Sequence, residues 1–335
     1  MKLKIKFLET WAVASLIGAG AALAVERTDP VYVANQNPFV QIYGLPKSEA
    51  GTITPKGKLD AAFLYYVSNN AFSEEADNGE TFIWDGETAQ YCLKLRYGVS
   101  ERLELGIDLP YIVHSGGYLD STIRKFHQLF GYSNDRQMEF EKNQIHYQIG
   151  ENGDTLFEMT DTHSGLGDIR LTAAVSLLPG SIGARRHLAA RSVLKLPTGN
   201  SSDLLGSGGT DVSAGLAYTD YDLLQSINTV VSANLGLLYM GDSEVLGDKQ
   251  RNFAGYGGAS LGWRALTWLD MKLQVDLHSA MYDTELLQLG HSLQLLAGGT
   301  VHLPGDVLMD LGISEQLSTD ATPDVGFYLM VGHRF

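Results

Sequence analysis

His114 beside Ser115, and His291 beside Ser292, are the pairs in this sequence that could join a base to a nucleophile. Such chemistry needs both side chains at one point, and neighbours on a strand face opposite ways, so neither pair is read as catalytic. Asp77-Asn78-Gly79-Glu80 and the run from Gly150 to Asp154 offer oxygen donors, but without the spacing of a calcium loop they read as acidic, solvated turns. Gly18 and Gly20 lie in an apolar segment at the chain start, and no Walker-type phosphate loop occurs. Neither an enzyme nor a cofactor nor a metal centre is expected.

The remaining charged candidates alternate with apolar residues. Lys94, Arg96, Glu104 and Asp108 lie between Leu93, Leu95, Tyr97, Leu103, Leu105, Ile107 and Leu109, and Asp168, Arg170, Arg191 and Lys195 extend the row. In a strand this pattern puts apolar side chains on one face and charges on the other, which suits a barrel with an oily outside and a polar lumen. A pairing register summing to 200 across the first hairpin sets Arg96 opposite Glu104 as a structural ion pair. Charges of both signs fit a hydrogen-bonded internal plug as well as a polar conduit.

Twelve strands, with ten or fourteen as alternatives, are needed to carry these residues. They are read near 57–68, 87–98, 102–113, 166–178, 186–197, 210–220, 226–240, 252–264, 267–281, 290–303, 306–317 and 323–335. Leu269, Met271, Leu273, Val275 and Leu277 join the lipid-facing set, while Lys272, Gln274 and Asp276 alternate with them. Links are short near 98–101, 178–185, 219–225, 265–266 and 304–305, and long near 69–86, 114–165, 198–209, 241–251 and 282–289. That alternation of periplasmic turns and external loops, with no run of eighteen apolar residues after the chain start, predicts an all-β, antiparallel transmembrane barrel over residues 57–335.

Residues 1–24 carry Lys2, Lys4 and Lys6, then an apolar stretch to Leu23 and Ala24, which reads as a secretory signal peptide cleaved after Ala24. The formal net charge of −15 makes nucleic acid a poor partner, and the single Cys92 leaves no intramolecular disulfide. At the other end Phe327, Leu329, Val331 and Phe335 alternate with polar or small residues. This ending resembles the signal by which outer-membrane barrels are recognised for insertion, so the barrel-assembly machinery, outer-membrane lipid and lipopolysaccharide are expected partners.

Two segments stand outside the strand pattern. Residues 25–56, with Asn35, Asn37, Pro38, Phe39 and Tyr43, read as irregular or extended chain that is either a periplasmic tail or a partial lumen plug. In the loop 114–165, Leu119, Ile123, Phe126 and Phe130 recur at helical spacing and predict a short amphipathic helix, placed as a lid on the barrel mouth. An external hairpin is expected over 137–149 and 154–160.

Asn35-Gln36-Asn37-Pro38, Tyr43-Gly44-Leu45-Pro46, Ser115-Gly116-Gly117 with Leu119-Asp120, Phe126-His127, Gly165-Leu166-Gly167-Asp168 and Leu196-Pro197-Thr198-Gly199 carry a resemblance over nearly the whole chain. The sequence resembles an uncharacterised bacterial outer-membrane barrel family, a domain of unknown function, and is similar to the phenol meta-pathway outer-membrane proteins. The resemblance implies the fold and admission of small hydrophobic compounds, without functional residues to carry over. The first expectation is therefore a passive channel or uptake pore for small amphipathic or hydrophobic molecules. A closed structural or surface-interaction barrel is the second and an outer-membrane enzyme the third.

Overall fold

The computed structural model describes residues 28–119, 143–178, 185–317 and 321–335. Fifteen strands are formed among the described residues. They are β1 (Leu59–Glu75), β2 (Glu80–Gly98), β3 (Leu103–Ser115), β4 (His146–Glu151), β5 (Asp154–Met159), β6 (His163–Leu166), β7 (Arg170–Ser176) and β8 (Arg186–Lys195). The rest are β9 (Asp211–Leu224), β10 (Thr229–Met240), β11 (Phe253–Leu266), β12 (Leu269–His278), β13 (Ser292–Leu303), β14 (Val307–Gln316) and β15 (Val325–Arg334).

Twelve of them close into an antiparallel barrel, since β15 pairs with β1 as well as β14. Closure is completed by backbone bonds in both directions between Leu59 and Phe335. A closed ladder leaves no wall edge, so every barrel strand has partners on both sides. Leu93, Tyr97, Leu105, Met271, Leu273 and Leu277 are exposed on the outward face, an apolar belt that fits hydrocarbon. No helix among the described residues is long and apolar enough to cross a membrane.

Three expectations about the strands are corrected. The first hairpin register sums to 202, so Arg96 lies opposite Gly106 and Lys94 opposite Asp108. The cause is the turn, where the Ser100 hydroxyl accepts from the amides of Arg102 and Leu103 and lengthens the link. Residues 69–86 are not a loop: β1 and β2 run on as a paired ribbon to a turn at 76–79. The expected strand 166–178 is broken into β6 and β7 around Gly167, Asp168 and Ile169.

The external hairpin forms as β4 and β5, which add to the upper part of β2. It helps to build a dome over the long-loop end of the barrel. Inside that dome Phe82, Trp84, Tyr147, Ile149, Met240 and Tyr282 form the largest apolar cluster. The plug contributes Phe39 to it, whose ring meets Phe82 edge-on at 5.7 Å. Phe82→Ala, at a fully buried site, is expected to cost about 3–5 kcal/mol. The check is a lower thermal midpoint with new protease cleavage at the β1–β2 tip; an unchanged cleavage pattern would separate the ribbon from the dome.

Candidate functional site

The lumen is threaded by residues 28–56, which rise along one side, turn at the long-loop end and descend along the other. On the way up, Thr28 donates to Asp270 (2.7 Å), and Val31 exchanges two hydrogen bonds with the Gln274 amide (2.7 and 3.1 Å). Tyr32 donates to Asp108 at 2.6 Å, and Asn35 meets His278 at 2.9 Å.

The turn is one helical turn, α1 (Pro38–Gln41), where only irregular or extended chain is expected from the sequence. Asn37 caps it by accepting from the Phe39 amide at 3.0 Å, and Pro38 occupies the position where a missing N–H costs nothing. Asn37 also donates to the Gln288 carbonyl at 2.8 Å, which ties the apex to the dome. Coming down, Gly44 donates to Asp211 (2.7 Å), Ser48 to Asp276 (2.8 Å), Gly51 to Thr219 (3.0 Å) and Thr54 to Glu104 (2.6 Å).

Two ionic nodes hold this hairpin. At the upper one, the fully buried Lys195 lies 2.9 Å from Asp168 and 3.0 Å from Asp211, and donates to the Ile42 carbonyl at 2.9 Å. Asp168, in the break between β6 and β7, also accepts from the amides of Thr198 (3.0 Å), Gly199 (2.8 Å) and Ser207 (3.2 Å). A Cβ on Gly44 would stand 2.9 Å from the Asp211 Cβ, so only glycine lets the descending chain pass here. Arg170 donates to the carbonyls of Gln41 and Tyr43, and the buried Tyr43 ring packs 5.7 Å from that of Tyr282.

At the lower node Arg96 bonds Asp108 (2.8 Å), Glu49 (3.2 and 3.3 Å) and the Tyr32 hydroxyl (2.6 Å). Lys94 pairs with Glu49 at 3.1 Å and sits 3.7 Å over the Tyr32 ring. Arg191 pairs with Glu104 at 3.0 Å and donates to the carbonyls of Ala50 and Thr52. Below this node a small open vestibule of about 80 Å³, lined by Glu49, Lys94, Glu104, Arg191, Asp60 and Arg334, faces the short-turn end. The eight charged residues read from the sequence thus all point inward, but against a packed hairpin rather than along a free conduit.

Leu119 does not lie over the mouth. It packs with Val67 and Val325, on the side of the wall that also carries Tyr65 and Phe327. The physical reason is the Glu87 carboxylate, which accepts from the amides of Tyr118 and Leu119. Gly117 makes the bend with φ +67, and a Cβ there would overlap Glu87. Ile123, Phe126 and Phe130, with the expected helix, lie outside the described residues, as do residues 1–24. Phe327, Leu329 and Val331 line one face of β15, with Val331 and Phe335 exposed.

His114 turns to Thr88 at 3.0 Å and to the Leu204 carbonyl at 3.2 Å, away from Ser115. Glu80, in one of the two acidic turns, is held by Lys249 at 2.6 Å and Thr284 at 2.6 Å. Partial burial would lower the Lys249 pKa, but the Glu80 and Glu151 carboxylates outweigh it and raise the value above that of an ordinary lysine. The wall partners Asp211 and Gln294 escaped the sequence reading. Their signal was parity alone, since each shares the inward alternation of its strand.

A profile described as "Protein of unknown function (DUF3187)" matches residues 10–335. Among curated proteins nothing matches. The fold is similar to that of the COG4313 outer membrane channel from Pseudomonas putida F1, with 14% identity over 90% of this chain and 100% of that one, at a TM-score of 0.56. The Ralstonia pickettii toluene transporter TbuX is a more distant likeness, with 10% identity over 92% and 96% of the two chains and a TM-score of 0.39.

Proposed function

The chain belongs to the family of proteins of unknown function DUF3187, and on that premise we propose a passive outer-membrane channel for small molecules, shut by its own N-terminal hairpin. The observation that carries this reading is the plug itself. A barrel with only a structural task can fill its lumen with wall side chains, whereas here residues 28–56 fill it and join the wall covalently only at β1. Below the apolar packing of Phe39 and Tyr43 at its apex, the plug is held by hydrogen bonds and ion pairs, which water can replace when the segment leaves.

The long-loop end lies outside the cell and the vestibule faces the periplasm. A solute entering from outside meets the apolar dome around Phe39, Phe82 and Tyr282 first, then the charged vestibule. That order of surfaces suits a small amphipathic molecule with an apolar body and a polar group. The similarity to phenol meta-pathway outer-membrane proteins points to the same class of solute. Barrel insertion through the C-terminal strand and contact with lipopolysaccharide complete the reading.

Planar-bilayer recording of the intact chain beside one lacking Pro30 to Lys56 tests the proposal. The intact chain is expected to open rarely and the shortened one to conduct steadily, with heat-modifiable gel migration showing that both are folded. One observation favours a closed barrel instead: Lys195 and Arg96 are each matched by two carboxylates, a tight fit for a part that must move. Silence of the folded, shortened chain would decide for that second reading.

A further inference from the structure

We propose that the seam between the descending plug and the wall is a binding site for one sodium ion, which locks the plug in place. The site is built where β12 and β13 pair Asp276 with Gln294. Residues directly opposite on a ladder hold their Cβ atoms about 4.5–5.5 Å apart. Both side chains line a small cavity with Ser48 and Asn35 of the plug and Ser292 and Asn234 of the wall. The cavity has room for one water-sized occupant.

Two independent observations point to a cation. Asp276 accepts from the Ser48 hydroxyl (2.8 Å) and the Gln274 amide (2.7 Å), both neutral donors, and makes no ion pair among the described residues. Lys47, next to Ser48 in the chain, turns instead to the Tyr32 ring at 5.1 Å. Each carboxylate at the two ionic nodes, Glu49, Glu104, Asp108, Asp168 and Asp211, has a lysine or arginine against it, which Asp276 lacks among the described residues. Separately, the Gln294 oxygen accepts no hydrogen bond from any described residue, although the side chain is 1% exposed. Its amide nitrogen donates to the Tyr66 hydroxyl at 3.3 Å, and the side chain lines the cavity.

Oxygen donors from a carboxylate, an amide and hydroxyls suit a hard cation, and a single carboxylate balances a single positive charge. A bare sodium ion is smaller than a water molecule and fits that space. Because the donors come from both plug and wall, a bound ion favours the plugged barrel over the open one. At a sodium concentration about ten times its dissociation constant, the ratio of closed to open barrels rises about tenfold.

The test uses the full chain in detergent and in bilayers, with sodium chloride against choline chloride at equal ionic strength. Sodium-23 NMR lines are expected to broaden with the wild-type protein, and to lose that broadening in Asp276→Asn and in Gln294→Leu. Opening frequency is expected to be about tenfold lower in sodium than in choline for wild type, and equal in the two salts for Asp276→Asn. Absence of broadening with wild type, or its persistence in both variants, overturns the site. The locking clause rests on the channel reading: broadening without any salt effect on the openings of a conducting barrel overturns the lock, while the NMR arm stands whether or not the barrel conducts.

Discussion

Lys195→Met should unfold the upper half of the plug or the whole barrel, at a cost of about 3–5 kcal/mol. Methionine fills nearly the same volume, so the loss is one of charge. Asp168 and Asp211 would stay in a site where the lysine is fully buried, facing each other across the space its ammonium held. Asp168 keeps three amide donors and Asp211 keeps those of Gly44 and Gly241, so each still accepts hydrogen bonds. What neither retains is a counter-charge, and two uncompensated carboxylates in one buried site repel. Thermal or urea unfolding in detergent reads the loss. Adding Asp211→Asn should return a large part of it, because removing both partners of a buried pair costs much less than removing one. An effect no larger in Lys195→Met than in the double variant would mean that the node contributes packing and not charge.

The barrel was legible in the sequence because its signal repeats. Leu93, Leu105 and Leu273 each face outward for the same reason, alternation on a half-lipid wall, and twelve repetitions outweigh local ambiguity. Register was not legible to the residue, since it depends on how many residues the turn after Gly98 absorbs, and the Ser100 hydroxyl decides that. The β1–β2 ribbon was misread as a loop because Asn69, Asn70, Ser73 and Glu74 look soluble. It is a strand because Phe82 and Trp84 on its return find Phe39, over forty residues earlier in the chain.

The candidate site was legible as a set of charges and not as an arrangement. Lys195 and Asp168 are inward by parity or by the break between β6 and β7, and Lys195 meets Asp211 across the β8–β9 ladder, but the meeting with Ile42 depends on a segment without periodicity. Short motifs proved informative in a different way. Gly165-Leu166-Gly167-Asp168, Leu196-Pro197-Thr198-Gly199 and Tyr43-Gly44 lie far apart in sequence and converge on the upper node, through the Thr198 and Gly199 amides on Asp168 and the Gly44 amide on Asp211.

Arg96→Met should raise the ratio of open to closed channels about 100-fold, the equivalent of about 3 kcal/mol. Arg96 is 2% exposed and ties both arms of the plug to the wall by hydrogen bonds, to Tyr32 on the ascending arm and Glu49 on the descending arm. Its removal leaves Glu49 with Lys94 at 3.1 Å and Arg191 at 3.6 Å, but leaves Asp108 with no ion pair among the described residues, only the Tyr32 hydroxyl. The penalty falls on the plugged state alone, because once the hairpin leaves, water enters the lumen and solvates the freed carboxylates. The fully folded barrel therefore survives while its closed form loses its advantage. Arg96→Lys keeps the charge but not the planar fork that reaches Asp108, Glu49 and Tyr32 together, so it should fall between the two. Single-channel open probability measures the series. Equal open probability in wild type, Arg96→Lys and Arg96→Met, with all three folded, would place the gate elsewhere than in the lower node and leave the upper node and the dome to hold the plug.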